Sequence, residues 1–283
     1  PVEGTNFVAN NLPGGIAVLA IGEKGNLFNA PETYMNKIAT GKIDKGLIDL
    51  KTIKQKKSNN DLTRDQNLFK EQLDSVKNQS LKPCEVLICD NTINNKGVWE
   101  RFNTAKQAKG DFVCIMDDDT IPGVDWLQNC YNSFQVKEGV YGTCGYLFNS
   151  NKQYENNYER IGWCNPIGKI TQVDYVVHNW FFKKEWLSHL VRELPNPEYN
   201  ICGEDMHFSY MLQKYAGIPT FVPPHPKSDK SLWGSIKGAE YGGDANSLWE
   251  SNQASVEGTP FKQLMNQYFH EQRNKGWRLV NEK

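Results

Sequence analysis

The 283-residue sequence predicts an α/β fold with a mostly parallel central sheet flanked by helices. Short apolar runs alternate with segments of helical periodicity, and acidic residues directly follow two of these runs. No internal repeat or low-complexity linker divides the chain. We therefore expect a single domain over 1–283, with a core at 14–225, a basic insert at 23–60 and a C-terminal loop and helix at 226–283.

The first half predicts strand–helix units in sequence. Apolar runs at 16–21, 86–89 and 112–116 indicate buried strands, since uninterrupted apolar runs are typical of parallel sheets. Helical spacing of apolar residues predicts helices from residue 61, from residue 98 and from residue 124. The stretch from 23 to 60 is basic and poorly patterned, which favours a solvated loop, and a flap that contacts phosphates is the alternative.

The second half has weaker periodicity. We expect strands at 140–148, 173–177 and 218–222, with helices at 184–191 and 203–215. Thr259 and Pro260 favour the start of a last amphipathic helix, as N-cap and first helical residue. Residues 154–169 predict no element, and 227–255 predict a loop.

Three adjacent carboxylates, Asp117, Asp118 and Asp119, follow the apolar run at 112–116. Side chains alternate along an extended chain, so Asp117 and Asp119 are expected on one side and Asp118 on the other. No Lys or Arg lies between Lys109 and Lys137 to offset these charges locally. A divalent cation held by oxygen ligands would offset them, and an acidic turn after a core strand is the alternative.

Composition excludes several classes of protein. A net charge of -1 favours neither nucleic acid nor an anionic membrane as a partner. No apolar run is long enough for a transmembrane segment, and no secretory leader precedes Ile16. The seven cysteines lack Cys-x-x-Cys spacing, so we expect free thiols in a reducing, cytoplasmic location.

The order of acidic motifs indicates a family. Asp90 ends one apolar run, Asp117-x-Asp119 ends a later one, and Gly203-Glu204-Asp205 opens a predicted helix. In this order, residues 65–222 resemble the nucleotide-diphospho-sugar glycosyltransferases of the GT-A (Rossmann-like) fold, especially the inverting family 2. The long basic insert after the first strand departs from the family's short loop at that point.

The resemblance implies a metal and a nucleotide-sugar donor. Asp119 is expected to bind Mn²⁺ or Mg²⁺ directly, and Asp117 to contact the metal shell or the ribose. Some relatives place a late histidine on the metal, which here would be His225, although a loop role between two prolines is the alternative. The donor expected from the resemblance is a UDP-sugar.

Four further residues are assigned to the donor by the same resemblance. Asp90 is expected to accept a hydrogen bond from a uracil-type base, and Ala20 to lie beside the nucleotide. Asp118 contacts the nucleotide or sugar, or only shapes the turn. Trp180, in the stretch 178–180, lines the sugar pocket or belongs to the core.

The family's Glu-Asp pair implies that Asp205 is the general base and that Glu204 supports it. A purely structural role is the alternative, since acids are favoured in a first helical turn. The expected function is metal-dependent sugar transfer to a glycan or other hydroxyl acceptor, with inversion. A catalytically inactive nucleotide-sugar or carbohydrate-binding protein and a haloacid-dehalogenase-type phosphatase are the alternatives.

Overall fold

The structure is a computed structural model that describes residues 2–3, 16–17, 59–89, 97–118, 120–150, 153–163, 165–196, 199, 202–237, 255–256 and 259–282. The chain divides into two compact units, residues 1–48 and 49–283. In the first unit, strands β1 (Val2–Glu3) and β2 (Ile16–Ala17) pair antiparallel. Most of the predicted strand at 16–21 and of the basic insert lies outside the described residues. The single domain expected over 1–283 stays a prediction.

The helices predicted in the second unit are confirmed with shifted ends. Its described helices are α1 (Asn59–Lys77), α2 (Glu100–Ala105), α3 (Trp126–Val136), α4 (Leu187–Leu190), α5 (Glu204–Ala216) and α6 (Phe261–Asn274). A 3₁₀ turn, Lys184–Trp186, leads into α4. Among the described helices, none combines the length and apolarity needed to span a bilayer.

Six described strands form the main sheet of the second unit. They are β3 (Phe112–Met116), β4 (Val140–Phe148), β5 (Tyr158–Gly162), β6 (Thr171–Val173), β7 (Tyr175–Lys183) and β8 (Thr220–Val222). Their order is β3-β7-β4-β8-β6, and β5 pairs with the second half of β4. A separate short hairpin joins β9 (Ser255–Val256) and β10 (Thr259–Pro260).

The α/β class is confirmed, but the expectation of a mostly parallel sheet is wrong. Only β4 and β8 pair in parallel among the described strands, and β7 lies antiparallel between β3 and β4. The predicted strand at 86–89 is not a strand. Val86, Leu87 and Ile88 are 45%, 40% and 47% exposed, so their apolar run is not buried in the sheet.

Two clusters of buried side chains support the sheet. The first, including Phe102, Trp126 and Trp180, packs α2, α3 and α5 against β3 and β7. The second is aromatic and joins α6 to the far half of β4, with Phe148 and Phe269 in contact at 4.5 Å between ring centroids. The first cluster fixes the end of β3 and the start of α5, where two of the acidic motifs lie, and it fixes α2 beside them.

Candidate active site

The turn after β3 is held by hydrogen bonds within the turn and by hydrogen bonds to two other elements, β7 and α1. The Asp117 N–H donates to the His178 carbonyl of β7 at 2.9 Å, and Thr120 N–H donates to the Asp117 carbonyl at 3.1 Å. The Thr120 hydroxyl donates to Asn179 Oδ1 at 3.0 Å, while Gln72 of α1 donates to the Thr120 carbonyl at 2.9 Å. The backbone that presents Asp117 is therefore fixed.

Asp117 faces two basic side chains. Arg101, on α2, donates from Nη1 to Asp117 Oδ1, and His178 Nδ1 lies 3.5 Å from Oδ2. Burial acts to raise the pKa of Asp117, but Arg101 and His178 outweigh it and hold the pKa below its usual value. Asp117 is therefore a carboxylate, and its counter-charge in the described site is Arg101.

His178 has an unusual backbone conformation. Its φ is +72°, in the left-handed region that side chains other than glycine seldom adopt. Such a conformation costs about 1–3 kcal/mol and is concentrated at functional sites. It occurs where β7 aims the imidazole at Asp117, with the Trp163 ring edge-on at 4.8 Å between centroids.

The start of α5 brings two more carboxylates to the site. Gly203 has a φ of +81° and precedes the first turn, which contains Glu204 and Asp205. Both side chains are buried, and burial raises the pKa of each. Glu204 raises the pKa of Asp205 further, although the Met206 N–H donates to Asp205 Oδ1 at 2.8 Å. A raised pKa makes Asp205 a stronger base than an ordinary aspartate.

Arg101 connects the two acidic motifs. Its Nη1 lies 3.8 Å from Glu204 Oε1 while it is paired with Asp117, and its guanidinium lies 5.2 Å from the Trp180 ring centroid. Burial acts to lower the pKa of Arg101, yet the surrounding carboxylates raise it above its ordinary value. The structure thus places a permanent cation between the turn after β3 and the start of α5.

The described residues do not form a complete metal site. No three or more His, Cys, Asp or Glu side chains in the described parts of the chain converge as a metal would require. Asp117 is already paired with Arg101, Asp118 is exposed, and Asp119 lies outside the described residues. Asp90 and Ala20 also lie outside them. The metal and nucleotide roles of these residues stay predictions.

His225 and Trp180 are both buried and hydrogen-bonded. His225 Nδ1 lies 2.8 Å from the Pro223 carbonyl, and its Nε2 accepts from Gly234 N–H at 3.3 Å. Burial lowers the pKa of His225 to about 4. Trp180 donates to the Val176 carbonyl at 2.9 Å. Their surroundings favour structural roles, and the metal and sugar contacts expected of them stay predictions.

Sequence reasoning missed Arg101, the counter-charge of Asp117. Only cations near the triplet in sequence were considered, whereas α2 brings Arg101 to Asp117 at the end of β3. Gln72 was also missed, and the helical spacing of α1 carries no signal for its contact with the turn. His178 follows the predicted strand at 173–177, but its carboxylate partner could not be read from the sequence.

Comparison with known proteins gives two matches on different parts of the chain. Residues 91–191 match the model of the family described as "Glycosyl transferase family 2". This match contains Arg101, Asp117 and His178, and it supports a family 2 glycosyltransferase domain in this part of the chain. It ends before Glu204 and Asp205.

The second match lies at the N-terminus. Residues 1–71 match the model of "Bacterial fructose-1,6-bisphosphatase, glpX-encoded". A D-fructose 1,6-bisphosphatase class 2/sedoheptulose 1,7-bisphosphatase of Prochlorococcus marinus is 53% identical over 51 residues, which are 18% of this chain and 15% of the relative. The protein of that name from Trichormus variabilis is 56% identical over 50 residues, 18% of this chain and 14% of the relative. This chain thus spans only a small part of these relatives.

Proposed function

We propose that the chain transfers a sugar from a nucleotide-sugar donor, a UDP-sugar, to an acceptor hydroxyl with inversion. One observation carries this proposal: Asp117 and Glu204 belong to motifs far apart in sequence, and both carboxylates lie beside the guanidinium of Arg101. The family 2 match over 91–191 supports the transferase class. The bisphosphatase-like segment ends before any of these residues.

Asp205 is the general base of the proposed reaction. The acceptor oxygen attacks the anomeric carbon, its proton passes to the Asp205 carboxylate, and the electron pair of the broken bond leaves on the diphosphate. Attack opposite the leaving group inverts the anomeric centre. The raised pKa of Asp205 suits proton removal near neutral pH, since a base works best when its pKa approaches the operating pH.

The nucleotide-sugar donor is proposed to bind beside Asp117. Asp117 contacts the ribose or the metal shell, Asp90 the base, and Asp118, Ala20 and Trp180 the rest of the donor.

Asp119, with Asp117 and His225, is the proposed ligand set for Mn²⁺ or Mg²⁺. In the described structure, Asp117 is paired with Arg101. A bound divalent cation would supply charge neutralisation on the departing diphosphate. The acceptor is a glycan or another hydroxyl compound, and the proposed location is the cytoplasm.

The decisive experiment measures nucleoside diphosphate release from a panel of nucleotide sugars with Mn²⁺ and a mixture of glycan acceptors. We expect Asp205→Asn to lower the rate by about 10²–10⁴-fold, the usual contribution of a positioned base. Donor affinity, measured by calorimetry, should change by less than about three-fold, because Asn keeps the size of the side chain and Asp205 touches the acceptor.

The control is Asp111→Asn, which alters an exposed aspartate just before β3. It should keep the parent rate. If Asp205→Asn retains the parent rate, the base assignment is wrong. If the parent binds a UDP-sugar but releases no diphosphate with any acceptor, the chain is instead a binding protein of the same fold.

A further inference from the structure

Arg160, on the strand β5, lies on the sheet face against which the start of α5 packs. Among the described strands, β5 pairs only with β4, and in that register Arg160 lies opposite Tyr146. Side chains of directly opposed residues in an antiparallel pair share one face of the sheet. Tyr146 belongs to the aromatic cluster that contains Met206 of α5. Arg160 is therefore on the same sheet face as Asp205, the residue before Met206.

Two tyrosine rings hold the guanidinium of Arg160. Its Cζ lies 5.5 Å from the ring centroid of Tyr146 and 5.9 Å from that of Tyr158. These rings contact each other edge-on at 4.5 Å between centroids, and Tyr146 also stacks on Tyr175 at 4.7 Å. A contact between a cation and a ring holds the guanidinium by its charge and does not use its N–H donors in conventional hydrogen bonds. The rings thus fix Arg160 and leave donors for another partner.

The positive charge of Arg160 has no carboxylate partner within the described parts of the chain. Its polar neighbour there is the Tyr158 hydroxyl, and the side chain is half-buried. The other half-buried arginines of the described residues, Arg101 and Arg273, are each paired with a carboxylate. Removal of a charge from water is unfavourable unless the charge is paired. Arg160 is therefore suited to an anionic partner from outside the described residues.

The strand β5 also leads to the candidate site. Trp163 follows the end of β5, three residues after Arg160, and its ring lies edge-on to His178 at 4.8 Å between centroids. His178 in turn faces Asp117. Three residues of chain span at most about 11 Å, which limits the distance from Arg160 to this end of the site. The charge of Asp205 and the charge of Arg160 both act on the Tyr146 phenol. Arg160 therefore lies close to the candidate site, on the face that carries the proposed base.

We propose that Arg160 binds an anionic group of the acceptor, a carboxylate, sulfate or phosphate, and thereby selects an acidic glycan over a neutral one. The inference rests on the proposed function, because it names the class of acceptor for the same site. Arginine suits this role since its planar guanidinium forms bidentate, charge-assisted hydrogen bonds with oxyanions. The acceptor hydroxyl would then lie towards Asp205 while the anionic group is held at β5.

The test measures kcat/KM for nucleoside diphosphate release with pairs of acceptors that differ in charge. The pairs are a glucuronide and the matching glucoside, and a sulfated and a phosphorylated glycoside, each beside its neutral parent compound. For the parent protein, we expect at least one anionic acceptor to exceed its neutral counterpart at least about ten-fold, mainly through a lower KM. Arg160→Met should remove this preference and change kcat/KM for the neutral acceptor less than about two-fold. Arg160→Lys should keep part of the preference, because it keeps the charge and loses the bidentate geometry.

The matched control is Arg192→Met, which removes one positive charge at an exposed residue and should leave the preference unchanged. If circular dichroism shows that Arg160→Met does not fold, Arg160→Gln replaces it with the same expectation. A merely structural Arg160 would instead lower the rates with the anionic and the neutral acceptor by the same factor, which would overturn the inference.

The outcomes separate this inference from the proposed function. If the parent transfers sugar to neutral and anionic acceptors equally well, the role of Arg160 is overturned and the proposed function stands. If the parent releases no nucleoside diphosphate with any donor and acceptor, the proposed function is overturned, and this inference with it. The anionic acceptor with the largest preference identifies which of the three oxyanions Arg160 binds.

Discussion

Gly203 immediately precedes the two carboxylates of α5, and we predict that Gly203→Ala destabilises the protein and displaces them. Gly203 adopts a φ of +81°, which glycine tolerates because it has no Cβ. A Cβ at this position would lie 2.9 Å from the ring atoms Cδ1 and Cγ of Tyr268. That ring is fully buried, so it cannot swing into solvent to make room.

The magnitude follows from two separate contributions. A left-handed conformation costs a non-glycine residue about 1–2 kcal/mol. Overpacking against a buried ring adds about 1–3 kcal/mol. Gly217, at the other end of α5, isolates the first contribution, since its φ is +67° and a Cβ there would meet nothing within 4 Å. We expect Gly217→Ala to lower the free energy of unfolding by about 1–2 kcal/mol and Gly203→Ala by about 2–5 kcal/mol.

Urea unfolding followed by circular dichroism measures both losses on the same protein. We also expect weaker activity for Gly203→Ala alone, because the contact with the Tyr268 ring is relieved by moving the first turn of α5, which carries Glu204 and Asp205. Equal losses of stability for the two variants, within about 0.5 kcal/mol, would refute the argument that the Tyr268 ring requires glycine at 203.

Three further predictions concern pH. Burial lowers the pKa of His225 to about 4 in the folded protein. As the pH falls below about 6.5, the imidazole therefore binds a proton in the unfolded chain before it does so in the folded protein. This difference contributes about 3 kcal/mol to the free energy of unfolding above about pH 6.5, and that contribution is lost as the pH falls towards 4. In urea unfolding between pH 4 and 6.5, His225→Gln should therefore lose less stability on acidification than the parent, and an unchanged pH dependence would contradict this. The pKa of Asp174 is raised to about 6 by burial, although the Phe148 N–H and the Val280 N–H each donate to its carboxylate at 2.7 Å. The contribution of Asp174 to the free energy of unfolding has the opposite pH dependence from that of His225: it is full below about pH 3.9 and is lost as the pH rises through about 6. Asp174→Asn should therefore steepen the rise in stability between these two pH values. A flatter profile than that of the parent would contradict this. For Asp205, whose pKa is raised by burial and by its acidic neighbour, kcat/KM should fall on acidification at a pH above the ordinary aspartate range; an acid limb at or below that range would argue against the base role.

Sequence periodicity predicted most helices, because their apolar stripes depend on local spacing. The spacing of Leu68, Phe69 and Leu73 corresponds to α1, and that of Phe261, Leu264 and Met265 corresponds to α6. Such stripes are read within one segment and do not require knowledge of a partner. The order of the helices was therefore accessible from the sequence, whereas β5 (Tyr158–Gly162) lies in the stretch 154–169 for which no element was predicted.

Strand pairing was less accessible, because it depends on segments distant in the chain. The run at 112–116 is a strand as expected. Among the described strands, however, it pairs with β7, and this pairing is antiparallel. Val86, Leu87 and Ile88 have the same apolar character and are exposed without strand structure. An apolar run indicates a preference for burial and does not identify the strand that would pair with it.

The candidate site shows the same distinction between local and distant signals. Asp117 and Asp205 were selected from their positions at element ends, and the structure joins their two motifs. Arg101 was not selected, since an arginine on a short helix is common and its partner is fixed only by packing. The missing counter-charge of Asp117 was therefore assigned to a metal alone, whereas the structure supplies an arginine.

The central claim is that this site acts on a nucleotide-sugar donor. One measurement compares two reactions of the full chain with Mn²⁺: nucleoside diphosphate release from UDP-sugars, and phosphate release from fructose 1,6-bisphosphate. We predict diphosphate release that Asp119→Ala lowers at least about ten-fold, as expected for the loss of a metal ligand. Phosphate release from the bisphosphate with no diphosphate release from any nucleotide sugar would contradict the account.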